Sequence, residues 1–468
     1  MNQKTQLLKN TIIIAIGKLG TQILSFLLLP LYTAKLSTEQ YGIYDFLVTL
    51  SVFLTPIITL LIEESMFRFL IDAEDEKDKK KIISATIIYT VFGTVVFSII
   101  ASILTIITHY EYGFLFIVFV ISNILVTLSN CLSRGLGKIK IYSISNFILG
   151  ALTIVLNIVF ILIFKMQADG LLWANIIANV ITAVIVLYIL KIHLFIGKET
   201  FGKNRLKQMI KYSIPLVPNN LSWVIISMSD RVMLTSLVGA DANGIYSIAN
   251  RFPYIISTCF GFFSTAWKES AARIIKEDNK AMYYNSIYSD MKKFMKSITI
   301  GLIAAMPFAF SILINSNYNE AYPYIPILTL GMYYTNMSNF YGGIFTAFKN
   351  TKIMGSTTVI GAAINIGINL IFMNLMPQYG ILIATASTVI STLIVYIYRR
   401  IKLSKYIKLD ERFNTLYWFL LAITLISYYV DNKIFCAVIL AVAIIYCYFT
   451  NREFIFRIID GLKAKIKK

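Results

Sequence analysis

Charged residues are scarce in this sequence: Asp, Glu, Lys and Arg make up 14% of its 468 residues. Soluble globular proteins carry about 25% charged residues, which give their surface groups that water can solvate. Hydrophobic residues reach 57% of the chain. The shortage of charge therefore excludes a soluble globular protein and indicates a chain that lies in a lipid bilayer.

Cysteine and histidine are also rare. The four cysteines all lie in apolar runs and show neither disulfide nor metal-site spacing, so we interpret them as small buried hydrophobic side chains: Cys131, Cys259, Cys436 and Cys447. The two histidines, His109 and His193, lie at the ends of apolar runs. We therefore expect neither a metal site nor a cofactor.

Nucleotide-binding and catalytic motifs are missing as well. The chain has no Gly-x-x-x-x-Gly-Lys-Ser/Thr loop, so we do not expect it to hydrolyse ATP. It also has no long extracytoplasmic loop with the carboxylates or histidines that a membrane polymerase or ligase would need. Because no catalytic constellation is visible, we predict that the protein is not an enzyme.

Apolar runs of about 20 residues recur along the whole chain, and each can cross a bilayer core of about 30 Å. They predict a polytopic all-α membrane protein with about fourteen spans. The first run, from Thr11, follows Lys4 and Lys9 but has no small-residue cleavage site, so we expect it to be retained. The spans are predicted near residues 10–33, 41–69, 82–108, 112–133, 141–164, 168–192, 212–238, 243–272, 290–314, 321–347, 352–375, 379–399, 413–431 and 433–450.

Lysine and arginine are concentrated in every second connection between these spans. With both termini placed in the cytoplasm, 37 of the 43 Lys and Arg residues lie on the cytoplasmic side, as the positive-inside rule requires. The exceptions are three residues outside and three within spans: Lys35, Lys165 and Lys433, and Lys18, Arg231 and Arg251. The net charge of +19 thus indicates orientation and contact with anionic lipid, and we expect no nucleic-acid partner.

The chain also repeats itself. Tyr-Gly-Ile-Tyr at 41–44 returns as Asn-Gly-Ile-Tyr at 243–246, and Asn-Ile-Val-Phe at 157–160 returns as Asn-Leu-Ile-Phe at 369–372. A repeat of six spans makes the two halves parallel in the membrane, and such paired bundles place substrate between them. We therefore predict an N-lobe at 1–200, a C-lobe at 201–408, and two further spans with a basic cytoplasmic tail at 409–468.

Three cations lie at membrane depth, where a charge costs at least about 2.5–3.5 kcal/mol. Arg231 is near the outer end of its span but leans inward, because helical side chains lean toward the N terminus. We therefore expect Arg231 to face a cavity or a partner. For Lys18 and Arg251, snorkelling to the headgroups is an equal alternative. Asp230 lies about 100° around the helix from Arg231 and is expected to pair with another helix.

Two asparagines follow a pair of prolines at the start of the seventh span. Pro215 and Pro218 free backbone carbonyls, which a membrane tolerates only where protein or water satisfies them. Asn219 and Asn220 are therefore candidates to bind these groups or a ligand. In the repeat, Asn220 corresponds roughly to Lys18.

Charged residues also cluster near the predicted cytoplasmic ends of the second and eighth spans. Glu64, Lys268 and Glu269 are candidates, with Asp230, for ion pairs that open and close a gate. The alternative is a solvated face of no special function.

These motifs resemble those of the Wzx-type polysaccharide flippases of the multidrug/oligosaccharidyl-lipid/polysaccharide (MOP) superfamily. The resemblance covers about the first 400 residues, and the last two spans match only in number and place. It rests on FLLLPLYT at 26–33, YGIY at 41–44, YSIPLVPNN at 212–220, SDR at 229–231, GIYSIAN at 244–250 and AWKES at 266–270.

The resemblance implies two six-helix lobes in a V around a cationic cavity. It implies transfer of undecaprenyl-pyrophosphate-linked oligosaccharide units to the outer leaflet of a bacterial plasma membrane, for capsule or O-antigen synthesis, alongside a polysaccharide polymerase and chain-length machinery. Arg231, Arg251 and Lys18 are then expected to attract the pyrophosphate. Two alternatives stay open, an ion-coupled multidrug antiporter of the same fold and a scaffold subunit of a polysaccharide assembly complex.

Overall fold

The computed structural model describes residues 26, 28–73, 75–195, 203–275, 277–348, 350–410 and 414–466. These residues form seventeen α-helices, joined by short 3₁₀ and π turns and by loops, and no β-strand. The prediction of an all-α protein is therefore confirmed for the described part of the chain.

The chain divides into two compact units between Met228 and Ser229, within helix α9. The helices of the first unit are α1 Leu29–Lys35, α2 Thr38–Thr59, α3 Ile62–Asp72, α4 Glu76–Thr108, α5 Gly113–Gly135, α6 Ile139–Ile158, α7 Ala168–Ile189 and α8 Lys203–Ser213. Helix α9, Leu216–Leu237, leads into the second unit, which contains α10 Ala240–Arg251, α11 Tyr254–Ile274, α12 Lys280–Leu313, α13 Ile325–Ala347, α14 Thr351–Leu375, α15 Gly380–Leu403, α16 Thr415–Val430 and α17 Lys433–Ile466.

Nine helices of the described residues are long and apolar enough to cross a bilayer: α2, α4, α5, α6 with the π turn Val159–Ile163 that follows it, α7, α12, α14, α15 and α17. Helix α4 illustrates why, because Phe92 and Ile107 are 65% and 68% exposed, which suits contact with lipid and not with water. The count of about fourteen spans and the cytoplasmic termini stay predictions. The first predicted span falls largely on residues outside the described ranges.

The two units share a helix order that follows the sequence repeat. Long helices α4 and α12 occupy the same place in the two units, and α5, α6 and α7 correspond in order to α13, α14 and α15. The repeat offset grows from 202 residues at Tyr44 and Tyr246 to 212 at Asn157 and Asn369. The connection between α12 and α13, which contains a 3₁₀ segment at Ser316–Tyr324, is seven residues longer than that between α4 and α5 and accounts for most of this growth.

Two of the predicted spans are broken helices. The span at 41–69 is divided by Leu60 and Leu61, which both adopt the left-handed conformation with φ of 48° and 55°. The span at 243–272 is divided at Phe252 and Pro253, because a proline cannot donate the next backbone hydrogen bond. Each break divides into two helices a stretch that hydropathy alone predicts as one span.

Aromatic packing holds the core of the second unit together. The Trp267 indole stacks on Phe340 with ring centroids 4.4 Å apart and donates to the Phe340 carbonyl at 3.0 Å. The Tyr284 ring meets the edge of the same indole at 5.7 Å, and its hydroxyl donates to the Ala271 carbonyl at 2.6 Å. Helices α11, α12 and α13 are thereby fixed to one another.

Candidate functional site

Asp230 lies at the centre of a buried polar cluster in the second unit. Its carboxylate accepts hydrogen bonds from the Tyr246 hydroxyl at 2.9 Å and from the Asn365 and Asn369 amides at 3.0 and 2.6 Å. The hydroxyls of Ser387, at 3.5 Å, and Thr388 donate to it as well. Asp230 is only 6% exposed. Neutral donors on neighbouring helices thus satisfy a charge that would be costly to bury without hydrogen bonds.

Four helices bring this Asp230 cluster together. Asp230 comes from α9 and Tyr246 from α10, while Asn365 and Asn369 lie one turn apart on one face of α14. Ser387 and Thr388 extend from α15, which packs along α14. The sequence expectation that Asp230 interacts with another helix agrees with this geometry, although its part in gating stays a prediction.

The oxygen atoms of the cluster suit a small hard cation. Among the described residues the buried Asn369 Oδ1 accepts no hydrogen bond, although it belongs to an amide that donates to Asp230. The Asp230 carboxylate and this amide oxygen are the kind of oxygen ligand that hard cations prefer. In the described residues no three His, Cys, Asp or Glu side chains are grouped to hold a metal ion.

A second polar feature is a pocket of about 300 Å³ in the first unit. We call it the Glu64–Asn220 pocket, and its walls are Leu61, Glu64, Phe67, Arg68, Tyr212, Leu216 and Asn220. The structure therefore brings together Glu64 and Asn220, two residues that the sequence singled out separately. Both residues are exposed and neither is buried in the core.

Ionic and hydrogen bonds hold the two walls of this pocket. Arg205 on α8 donates to both carboxylate oxygens of Asp78 on α4, at 2.7 and 2.6 Å. The hydrogen bond with Asp78 raises the pKa of the Arg205 guanidinium above its ordinary value, so this pair stays charged. Ser65 on α3 donates to the Met209 carbonyl on α8 at 3.1 Å. Helix α8 is thereby fixed against α3 and α4.

The remaining predicted site residues lie at separate places. Arg231 is half-buried on α9 beside Asp230, and Arg251 is half-buried in the last turn of α10. Lys268 is exposed on α11. Lys18 and the side chains of Asn219 and Glu269 lie outside the described residues. The binding role of the three cations therefore stays a prediction.

Sequence reasoning did not assign the partners of Asp230 or the residues that line the pocket with Glu64. Asn365 and Asn369 were available as two amides four residues apart in an apolar run, and Asn369 belongs to the repeated motif. Arg68 follows Glu64 by one helical turn, which was a signal for a shared face. Tyr212, 148 residues after Glu64, carried no comparable signal.

Comparison of the sequence with protein-family models gives evidence that does not depend on the structure. A family model described as "Polysaccharide biosynthesis protein" matches residues 7–267. No curated protein sequence matches the chain.

Solved structures share the fold at low sequence identity. The inward closed conformation of the lipid II flippase MurJ matches with a TM-score of 0.66 at 16% identity, covering 96% of this chain and 100% of that one. An inward-facing multidrug resistance MATE family transporter of the MOP superfamily matches with a TM-score of 0.61 at 15% identity, covering 84% and 98%. A MOP superfamily transporter from Pyrococcus furiosus matches with a TM-score of 0.55 at 13% identity, covering 85% and 95%.

Proposed function

This chain belongs to the polysaccharide biosynthesis protein family, and from that membership we propose that it is a flippase for lipid-linked oligosaccharides. Its substrate is an undecaprenyl-pyrophosphate-linked repeat unit, which it moves from the inner to the outer leaflet of the bacterial plasma membrane. The product serves synthesis of a surface polysaccharide such as a capsule or an O-antigen. Polysaccharide polymerase and chain-length machinery would act on the units that it delivers.

The family match carries this proposal, and the fold supports it. One structure of the same fold is that of a lipid II flippase, a protein whose name specifies a lipid-linked substrate. A multi-pass helical protein with lipid-facing apolar helices can offer the long tail of such a substrate an apolar path, while polar groups inside the protein receive its head.

The cations at membrane depth would receive the pyrophosphate. Arg231 and Arg251 are half-buried in the second unit, where a charge interacts more strongly with an anion than it does in water. Lys18, outside the described residues, would contribute the third cation. Arginine is suited to this role because its guanidinium can donate two hydrogen bonds to one phosphate.

Transport of a labelled lipid-linked oligosaccharide in proteoliposomes tests the proposal. We expect neutralising Arg231, Arg251 and Lys18 to glutamine to reduce flux at least about tenfold, because hydrogen bonds to charged groups contribute about 1.5–3 kcal/mol. The charge-matched control neutralises three exposed lysines, Lys203, Lys352 and Lys408. Equal flux in the two triple variants would refute the role of the cations. Export of a cationic dye in place of the oligosaccharide would instead indicate a multidrug antiporter.

The Asp230 cluster would couple this transport to an ion gradient. A cation bound at Asp230 would cancel the buried charge and change the hydrogen bonds that join α9, α10, α14 and α15. We expect a H⁺ or Na⁺ gradient to accelerate wild-type flux and to have no effect on Asp230→Asn. Asp241→Asn, which removes an exposed carboxylate of the same unit, is the control and should keep the response. A wild-type flux that responds to neither gradient would contradict the coupling.

A further inference from the structure

The Glu64–Asn220 pocket is lined by two helix faces with complementary chemistry. Glu64, Phe67 and Arg68 are spaced by three and four residues on α3, so they point the same way. Tyr212, Leu216 and Asn220 are spaced by four across the short break between α8 and α9. The pocket therefore combines a carboxylate, a guanidinium, an amide and a phenol with aromatic and aliphatic walls.

The charge balance of this pocket does not suit a pyrophosphate. Arg68 is already paired with Asp72, whose carboxylate oxygen lies 2.6 Å from its guanidinium. Glu64 adds a negative charge to the wall, and Glu63 is buried next to it in the first turn of α3. Because Asp72 already pairs with Arg68, an anionic group entering here would meet the Glu64 carboxylate without an unpaired cation among the lining residues. A neutral ligand avoids that repulsion.

Hydrogen-bonding capacity favours a ligand rich in hydroxyl groups. A carboxylate only accepts, a guanidinium only donates, and an amide and a phenol do both, so together they match hydroxyls in either orientation. The apolar face of a sugar ring packs on aromatic and aliphatic side chains. Tyr212 is 42% exposed and so available for such a contact. The volume of about 300 Å³ is at the small end of ligand pockets, which suits a sugar ring or two and not a whole oligosaccharide.

Neighbouring contacts fix the shape of the pocket before any ligand binds. The Arg134 guanidinium lies 4.4 Å from the centre of the Phe67 ring and covers one of its faces. The Phe69 ring meets Tyr212 edge-on at 5.9 Å. With α8 fixed by Arg205 and Asp78, the two walls have little freedom to separate. A preorganised site loses less entropy when a ligand binds.

We propose that the Glu64–Asn220 pocket is a saccharide subsite that binds a neutral sugar ring of the oligosaccharide substrate. The inference rests on the proposed function, because it assigns to this pocket the sugar part of the substrate described above. By the positive-inside pattern the pocket lies at the cytoplasmic end of its unit, where a substrate made in the cytoplasm first meets the protein. Selection among sugars would then occur here, apart from the cations proposed to receive the pyrophosphate.

The test compares two ligands that differ only in the sugar. One is the lipid-linked oligosaccharide that accumulates in cells lacking this protein, and the other is undecaprenyl pyrophosphate without sugar. Binding of both to the purified full-length protein in detergent is measured for the wild type, Glu64→Gln and Tyr212→Ala. We expect each substitution to weaken binding of the oligosaccharide lipid about tenfold and to leave binding of undecaprenyl pyrophosphate unchanged.

Three controls separate the outcomes. Glu76→Gln removes a carboxylate of the same unit outside the pocket and should change neither affinity, and thermal unfolding shows whether each variant is folded. Tyr212→Phe keeps the ring and should retain more affinity than Tyr212→Ala. An equal loss for both ligands, or no loss for either, overturns the saccharide subsite. A wild type that binds and transports no lipid-linked oligosaccharide would instead refute the proposed function.

Discussion

Arg399 is a buried cation whose charge is satisfied by hydrogen bonds to two neighbouring helices. It is 1% exposed on α15, and its guanidinium donates to the hydroxyls of Thr357 and Thr358 at 2.9 and 2.8 Å. It also donates to the carbonyls of Ser338 and Met354 at 3.1 and 3.3 Å. A buried charge costs free energy unless it is hydrogen-bonded, and the planar guanidinium reaches acceptors on α13 and α14 at once.

Replacing this arginine tests how much its hydrogen bonds contribute to the free energy of unfolding. We expect Arg399→Lys to lower the free energy of unfolding by about 1–3 kcal/mol, because an ammonium group cannot reach all four acceptors. Thermal unfolding in detergent measures the change. The exposed neighbour Arg400→Lys is the control and should stay within about 0.5 kcal/mol of the wild type. Similar losses at both positions would mean that the buried hydrogen bonds contribute little.

At the scale of the helices, the break between α2 and α3 holds backbone strain. Leu60 and Leu61 are both left-handed, a conformation that costs a residue with a side chain about 1–2 kcal/mol. The Leu61 amide donates to the Thr59 hydroxyl at 3.1 Å, which stabilises the turn. Leu61 also lines the Glu64–Asn220 pocket, so the break positions one of its walls.

Glycine substitutions should reveal this strain. Leu60→Gly relieves the left-handed conformation, whereas Leu50→Gly weakens the interior of α2, and both leucines are half-buried. We therefore expect Leu60→Gly to be less destabilising than Leu50→Gly by about 1–2 kcal/mol. Unfolding of the two variants under one set of conditions provides the comparison. If Leu60→Gly were the more destabilising, the strain would be absent in the protein.

Close packing between α11 and α13 leads to another prediction. A Cβ atom added at Gly343 would lie 2.5 Å from the Trp267 Nε1, and the stacked indole has no room to move away. We expect Gly343→Ala to destabilise the protein by about 1–3 kcal/mol. At Gly355, on α14, an added Cβ meets nothing within 4 Å among the described residues. Gly355→Ala should therefore be neutral or stabilising, and thermal unfolding that ranks the two variants otherwise would contradict this packing.

For the whole molecule, the distribution of basic residues predicts which loops face the cytoplasm. Cysteines introduced singly at Lys165 and Lys138, with the four native cysteines replaced by alanine, test the assignment. We expect a membrane-impermeant maleimide to label Lys165→Cys in intact cells and to label Lys138→Cys only after permeabilisation. Labelling of Lys138→Cys in intact cells would reverse the topology and place the Glu64–Asn220 pocket outside.

Much of the architecture is predictable because it depends on hydropathy and on the repeat, which can both be read from consecutive residues. Apolar runs identify most of the long helices, since a bilayer requires a continuous apolar length whatever the packing partners are. The repeat predicts two units with the same helix order. The broken helices are less predictable, because Leu60 and Leu61 have no breaking tendency of their own and take the left-handed conformation only in their tertiary context.

The sequence by itself determined that this is an all-helical, repeated membrane protein, and it selected Asp230, Glu64 and Asn220 as residues of interest. Only the tertiary structure decided their partners. Asn365 and Thr388 reach Asp230 across 135 and 158 residues of sequence. The physical reason is that hydropathy is a local property of the chain, whereas a hydrogen bond needs two atoms within about 3 Å, and only helix packing brings distant residues that close.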